Sequence, residues 1–307
     1  MTTSTARRVT GALCTLVLVV FGAPWAATPV IQAQQQLLYI SATGIGGSPV
    51  TDLALEEVVV QWDGEDAEIT DVELIEWPVR LTVMVDNGKG GRDSIDEIRA
   101  GLKALIAGLA DGVEMSPVAT SDGVLTLADY TTDKAALTAA VDEMERGNDD
   151  AAFLDAMIQA ADGIAADTNR SYFPVFLNLA TDGPEGSEGD QAAFEAMVNN
   201  LVTNAGTMHT RLLYTEDGDA DQSLQAQVAG IGQQTPGGSY VALSDAAELE
   251  ASMRELAADI SRKHGLVSAQ YRVTYTPPSG SGPAPGISVG STRAGLNLVP
   301  TIDGNLP

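Results

Sequence analysis

The stretch that decides the fold reads Leu81-Thr82-Val83-Met84-Val85-Asp86-Asn87-Gly88-Lys89-Gly90-Gly91-Arg92-Asp93. Five apolar or β-branched residues lead into one carboxylate and a glycine-rich turn, and an amphipathic segment follows. This order predicts a buried strand, a tight loop and a helix. In an open α/β sheet, the loops at the carboxyl ends of central strands are where ligands bind. The stretch therefore predicts the central strand of a sheet and, directly after it, the place of a site.

Outward from this stretch, strand and helix patterns alternate over residues 79–264. The predicted strands are apolar runs bounded by turn signals, at 79–85, 113–120, 124–130, 173–180, 209–215 and 240–243. The turn Ser121-Asp122-Gly123 makes the third strand antiparallel to the second. Alternation of strand and helix is typical of a parallel sheet covered on both faces. We therefore predict a doubly wound α/β fold, with a mainly parallel six-stranded sheet, one antiparallel edge strand and helices on both faces.

The last helix of this series carries clear end signals. Asp245 with Glu248 three residues later is an N-terminal capping pair. The segment Arg262-Lys263-His264-Gly265 places cations and a glycine where a helix is expected to end. We therefore expect this helix to span about 245–264.

The segments on either side of residues 79–264 have short alternating runs and no helical period. Residues 34–78 contain three predicted strands, and Pro78 marks the boundary before the central strand. Residues 265–307 contain one clear strand, a Pro/Gly/Ser-rich loop and one or two weaker strands. We predict that both segments together form a small β unit.

The first 33 residues differ from the rest of the chain. Arg7 and Arg8 precede an apolar run, and small residues follow up to Ala33. This pattern indicates a cleaved signal peptide and a mature chain beginning near Gln34, in a secreted or periplasmic protein. No later apolar run is long enough to span a membrane, so we expect no membrane insertion after cleavage. The only cysteine, Cys14, lies inside this segment, so the mature chain has neither a disulfide nor a thiolate ligand.

The chain is strongly acidic. Its formal net charge is -26, with 16 basic and 42 acidic residues. Removing residues 1–33 takes away two basic residues and no acidic ones, which moves the charge to -28. Such a chain repels phosphate backbones and anionic lipids. We therefore expect no nucleic-acid partner.

Three stretches carry a family resemblance. They are the loop after the central strand, 85–90, the segment 147–156, and Leu179-Ala180-Thr181-Asp182-Gly183. In order and spacing they resemble the von Willebrand factor type A family, whose metal-ion-dependent adhesion site uses Asp-x-Ser-x-Ser, a later Thr, and an Asp-Gly. The flanking segments resemble those of bacterial exported proteins related to this family. The resemblance covers nearly all of the mature chain and implies the same doubly wound fold.

The resemblance also implies a set of site residues. Asp86 and Asp182 match the two aspartates of the family's metal site, and Asp149 and Asp150 lie where they could reach the same crevice. Gly88, Gly90 and Ala151 stand where the family has its three hydroxyls. The resemblance therefore implies a degenerate site for Mg²⁺ or Ca²⁺, and without those hydroxyls we expect weak metal binding or none.

The glycine loop supports a second hypothesis for the same place. Lys89 and Arg92 lie in a loop that leads into a helix, where amide groups and the helix dipole favour anions. In this alternative, Lys89 pairs with Asp86 or Asp182 and supplies the positive charge that a metal would supply. A solvated Lys89 is the third interpretation.

We expect an exported, non-enzymatic module of adhesion type that binds a protein partner. The first alternative is a structural or assembly scaffold of the cell envelope. The second is a hydrolase, for which the sequence offers little, because His209 has no evident Ser or Cys partner and His264 has a sufficient role at a helix end.

Overall fold

The computed structural model describes residues 35–204, 206–215, 224–233, 235, 237–267, 270–278 and 286–301. The predicted signal peptide at 1–33 lies outside these residues. Within them, no helix is long and apolar enough to cross a membrane.

A six-stranded sheet forms the centre of the molecule. Its strands in chain order are β5 (Val79–Val85), β6 (Val113–Ala119), β7 (Leu125–Thr126), β8 (Phe173–Thr181), β9 (Thr207–Leu213) and β10 (Ser239–Leu243). Their order across the sheet is β10-β9-β8-β5-β6-β7. All neighbours are parallel except β7, which is antiparallel to β6 at the edge. The predicted fold class is therefore confirmed.

Helices cover both faces of this sheet. They are α1 (Ile95–Gly108), α2 (Lys134–Glu143), α3 (Phe153–Ala166), α4 (Gln191–Thr203), α5 (Leu224–Ala229) and α6 (Leu249–Val267). One apolar core joins the sheet to α1, α2 and α6, and a second joins its other face to α3, α4 and α5. Every residue of β8 and β9 is buried, as expected of strands covered on both sides. The loop after β5 therefore starts from the middle of a sheet that is covered on both faces.

Two predicted elements have different limits in the structure. The edge strand expected over 124–130 pairs as a strand only at Leu125–Thr126, with one further bridge between Met115 and Thr131. The last helix does not end at Gly265 but continues to Val267. Val267 is fully buried and extends the apolar stripe of α6 by two turns beyond Ile260. Burial of this stripe outweighs the weak helix preference of glycine.

The terminal segments together form the predicted small β unit, and this unit consists of two sheets. Their strands are β1 (Gln36–Thr43), β2 (Val58–Trp62), β3 (Glu65–Asp66), β4 (Glu68–Leu74), β11 (Gln270–Thr276), β12 (Ile287–Ser291) and β13 (Asn297–Thr301). The first sheet has the order β13-β1-β11-β4 and the second β12-β2-β3. Each sheet combines strands from both ends of the chain. They enclose a third apolar core, which includes Ile40, Val60 and Val273.

Candidate functional site at the carboxyl ends of the strands

Three loops meet beyond the carboxyl end of the main sheet. They follow β5, precede α3 and follow β8. The amide of Lys89 donates to the carbonyl of Asp149 at 3.1 Å, which joins the first loop to the second. A Cβ atom built on Gly90 would lie 3.1 Å from the Cα of Gly183, so the first loop also touches the third.

Asn87 fixes these loops to one another. Its Oδ1 accepts the amides of Thr120 at 3.1 Å and Ser121 at 3.0 Å. Its Nδ2 donates to the carbonyl of Glu145 at 3.0 Å, and its own carbonyl accepts the amide of Gly147 at 2.7 Å. Because Asn87 is nearly fully buried, these hydrogen bonds are shielded from water. No sequence signal singles out this residue, because Asn in a glycine-rich loop is expected to be a turn former.

Ala151 stands where the family has a threonine, and it is buried between two other loops. Its carbonyl accepts the amide of Gly186 at 2.8 Å. The amide of the next residue, Ala152, donates to the carbonyl of Thr120 at 2.7 Å. The backbone here is therefore held by neighbours on both sides, and the position has no side-chain oxygen to offer a ligand.

The carboxylate of Asp86 is fully buried and receives hydrogen bonds on both oxygens. Its Oδ1 accepts the amide of Gly88 at 2.9 Å. Its Oδ2 accepts the hydroxyl of Thr181 and, at 3.0 Å, the side-chain amide of Gln225. Burial raises the pKa of this carboxyl group, and the hydrogen bonds from Thr181 and Gln225 partly oppose the rise. Asp86 is thus held by groups of the protein itself.

Asp182, the second matching aspartate, is engaged in a different contact. Its Oδ1 accepts both the amide and the hydroxyl of Thr215, each at 2.8 Å. This contact ties the end of β8 to the segment that follows β9. One oxygen of Asp182 is therefore committed to the loop after β9.

The glycines in the first loop leave no space for the missing hydroxyls. A Cβ on Gly90 would lie 2.1 Å from the Thr181 hydroxyl oxygen and 2.8 Å from Oδ2 of Asp86. A Cβ on Gly88 would lie 2.6 Å from the carbonyl of Asp149. All three distances are shorter than any normal carbon contact, so the loop packs in a way that requires glycine at these positions.

The residues present do not fit a resident Mg²⁺ or Ca²⁺. Such ions take six or more oxygen ligands. Around Asp86, however, the amides of Gly88 and Gln225 point hydrogen atoms at the carboxylate, and the hydroxyl oxygen of Thr181 already accepts the amide of Gly183 at 3.1 Å. Among the described residues, no group of three or more His, Cys, Asp or Glu side chains is arranged to hold a metal.

Lys89 pairs with Asp150, which corrects the pairing with Asp86 or Asp182 that we hypothesised. Its Nζ lies 2.9 Å from Oδ1 of Asp150, and the two side chains are 47% and 38% exposed. The hydrogen bond with Asp150 raises the pKa of Lys89. Arg92, the second cation of the loop, is about half exposed and lies 3.7 Å from Asp93. The positive charges of this loop therefore face outwards, above the buried Asp86.

Asp149 does not join Asp86. Its carboxyl group instead lies beside that of Asp122, and this proximity raises the pKa of Asp122. Both residues are exposed on their loops. This carboxyl pair is therefore a surface feature, unlike the enclosed acids of a hydrolase.

A cavity of about 340 Å³ lies elsewhere, where β5, β6 and β8 meet α3, and Met84, Val118 and Phe176 are among its lining residues.

His209 does have a serine partner in the structure, although none was evident from the sequence. Its Nδ1 lies 2.9 Å from the hydroxyl of Ser239, which also accepts a hydrogen bond from Arg211 at 3.2 Å. His209 is fully buried, and burial together with nearby Lys263 and Arg211 lowers its pKa to about 3. An imidazole with this pKa is a poor general base near neutral pH, so the pair does not resemble an activated nucleophile.

The loop after Asp182 contributes one more residue that the sequence did not reveal. Glu185 accepts the amides of Phe153 and Leu154, the first two residues of α3, at 2.9 and 3.3 Å. The usual capping position, Ala152, cannot provide a side-chain acceptor. An uncapped helix start was the only signal in the sequence, and it does not say which distant carboxylate would serve.

No known family profile and no curated protein matches the chain. Several solved structures are similar to it. The von Willebrand factor type A protein from Catenulispora acidiphila is 16% identical over 87% of this chain and 73% of its own, with a TM-score of 0.49. Proximal thread matrix protein 1 from the mussel byssus, with a zinc-occupied MIDAS motif, is 12% identical over 62% of this chain and 50% of its own, with a TM-score of 0.45.

A third similar structure is an aerotolerance-related membrane protein from Bacteroides fragilis. It is 12% identical over 58% of this chain and 98% of its own, with a TM-score of 0.41. The chain thus spans half the length of the mussel protein and nearly all of the Bacteroides one. Von Willebrand A domains and related bacterial proteins are among the solved structures that resemble this chain, and at such identities the likeness concerns the fold alone.

Proposed function

We propose that this chain is an exported, non-enzymatic module that binds a protein partner through its loop face, without a divalent ion. The loop face consists of residues 86–92, 120–123, 147–152 and 182–189. The observation that carries the proposal is the exposed ion pair between Lys89 and Asp150, which stands on backbone that neighbouring loops hold in place. Export rests on the predicted signal peptide at 1–33.

The build of the loop face suits a protein partner. Asn87, Ala151 and Glu185 cross-link the loops below the surface, so little conformational entropy remains to be lost on binding. The surface above them carries charges of both signs, among them Lys89, Arg92 and Asp150, which favours a specific orientation of a charged partner. The cavity of about 340 Å³ lies on one face of the sheet, among residues of β5, β6, β8 and α3.

Affinity capture from the secreted and cell-envelope fractions of the source organism tests the proposal. The bait is the chain from residue 34 onwards, in buffer with EDTA. Wild type and Lys89→Glu are compared with Lys103→Glu as a matched control. Lys103 is similarly exposed, and it also pairs with an aspartate, Asp142, but it lies on α1.

We expect wild type and Lys103→Glu to retain a common protein partner, which Lys89→Glu loses. Loss from both variants would show that capture depends on overall charge rather than on the loop face. Capture that occurs only with added Mg²⁺ would contradict a metal-independent contact. N-terminal sequencing of the exported protein tests the localisation, with a start near Gln34 as the expected result.

A further inference from the structure

Hydrogen bonds from the protein occupy both oxygens of the Asp86 carboxylate. A carboxylate has roughly four lone-pair positions on its two oxygens. Here the amide of Gly88, the hydroxyl of Thr181 and the side-chain amide of Gln225 all donate to this one carboxylate. These three groups direct hydrogen atoms at a fully buried carboxylate, so they act as donors and not as the oxygen ligands that a cation needs.

Gln225 is the most distant of these donors in sequence. It lies on the short helix α5, 139 residues after Asp86, and it is fully buried. Its neighbour Gln227 on the same helix is exposed. The helix therefore turns one of its two glutamines inwards, and that side chain donates to the carboxylate of Asp86 at 3.0 Å.

Thr181 completes the arrangement from β8. Its hydroxyl accepts the amide of Gly183 at 3.1 Å, so its single proton is free to be donated to Asp86. Gly90 lies so close to this hydroxyl that even a methyl group there would displace it. The first and third loops are thus closed over the carboxylate by direct contact.

We infer that Gln225 and Thr181 take the place of a divalent ion at Asp86. Their hydrogen bonds to this carboxylate hold the loops of the loop face together, as the ion would. A metal ion would organise such loops by attracting oxygen ligands from each of them. In this chain the buried carboxylate does so by accepting hydrogen bonds from the loop after β5, from β8 and from α5. Gln225 is therefore a positioning residue for the loop face.

Thermal unfolding and calorimetric titration of the chain from residue 34 onwards test this inference without any partner. After EDTA treatment, wild type is titrated with Mg²⁺, Ca²⁺, Mn²⁺ and Zn²⁺ separately. We expect no saturable binding that depends on Asp86, and no change in Tm at low millimolar ion. Gln225→Ala is expected to lower Tm by roughly 4–8 °C, because the change leaves the buried carboxylate short of one donor.

Gln227→Ala is the matched control, on the same helix and with the same change in side chain. It is expected to stay within about 1 °C of wild type, because an exposed glutamine contributes little. Asp86→Asn keeps the shape of the side chain and an acceptor for Gly88, so its Tm is expected to remain above that of Asp86→Ala. Asp86→Asn is also titrated with each ion, so that binding at Asp86 is recognised by its loss in this variant.

Two results would overturn the inference. The first is saturable binding of any of the four ions to wild type that Asp86→Asn abolishes. The second is a Gln225→Ala variant that is no less stable than Gln227→Ala. Neither depends on the protein partner, so failure here is separate from failure of the capture experiment.

Discussion

The carboxylate of Glu185 accepts the amide hydrogen of Phe153 at 2.9 Å, so a residue 32 positions later in the chain caps α3. The same oxygen accepts the amides of Leu154 and Ser187. Replacing Glu185 with alanine removes these acceptors from the start of a helix whose own capping position is Ala152. We expect Glu185→Ala to lower the free energy of unfolding by about 1–3 kcal/mol, measured by urea denaturation.

Two companion variants separate capping from a general effect of charge. Glu185→Gln retains a side-chain oxygen and is expected to lose less than half as much stability. Glu188→Ala removes an exposed carboxylate from the same loop and is expected to change stability by less than about 0.5 kcal/mol. Equal losses from Glu185→Ala and Glu188→Ala would argue against the cap.

The close packing of Gly90 gives a second prediction. A Cβ at this position would lie 2.1 Å from the Thr181 hydroxyl oxygen, so Gly90→Ala forces the first and third loops apart. We expect a loss of about 1–3 kcal/mol in the free energy of unfolding, as is usual for overpacking. Gly90→Ser, which restores the family's hydroxyl, is expected to be equally unstable, and Mg²⁺ is not expected to rescue it.

Gly163 is the control for this prediction. It lies in α3, and a Cβ there would meet nothing within 4 Å. Gly163→Ala is therefore expected to gain up to about 1 kcal/mol from the better helix propensity of alanine. A Gly90→Ala variant as stable as wild type would contradict the close packing of Gly90 against Thr181.

The sequence predicted the strand, the loop and their place in the sheet because these depend on local patterns. The apolar run 81–85 and the three glycines after it suffice to locate Asp86 at a strand end. What Asp86 contacts depends instead on residues far away in the chain. No local signal distinguishes the buried Gln225 from the exposed Gln227. Likewise, the carboxylate with which the exposed Lys89 pairs depends on how the loops pack against one another. The contacts within the site were therefore beyond prediction, although its position was not.

The phenol of Tyr271 joins the C-terminal β segment to the N-terminal one, and this contact is the basis of a third prediction. Its oxygen accepts the amide of Leu53 at 3.1 Å and donates to the carbonyl of Val50 at 3.0 Å. Tyr271 is almost fully buried, so Tyr271→Phe leaves both backbone groups without this partner. We expect a loss of about 1–3 kcal/mol in the free energy of unfolding.

Tyr275→Phe is the comparison for Tyr271→Phe, because the ring of Tyr275 packs against Trp62 at a centroid distance of 6.1 Å and is preserved in the variant. A smaller loss is expected from this change. Equal losses would mean that the hydrogen bonds of Tyr271 add nothing beyond the packing of its ring. Both variants are measured by urea denaturation, followed by tryptophan fluorescence.

His209 gives a prediction about pH. Its pKa in the folded protein is lowered to about 3, first by burial, whereas the reference value for an exposed histidine is 6.5. Between these two values the unfolded chain binds a proton that the folded chain does not. Stability therefore falls as pH decreases from 6.5 towards 3, by at most about 1.4 kcal/mol per pH unit from this residue. Between pH 7.5 and 5.5, above the range where most carboxyl groups titrate, the contribution is about 1.4 kcal/mol.

His209→Gln is expected to flatten the dependence of unfolding free energy on pH over this interval, whatever its effect on absolute stability. The relevant measurement is urea denaturation at pH 7.5, 6.5 and 5.5. His264→Gln is the control. Burial lowers the pKa of His264 as well, but this residue is only half buried, so we expect a smaller change in slope. NMR titration of the imidazole protons provides a direct check, and a His209 signal that titrates near pH 6.5 in the folded protein would contradict the prediction.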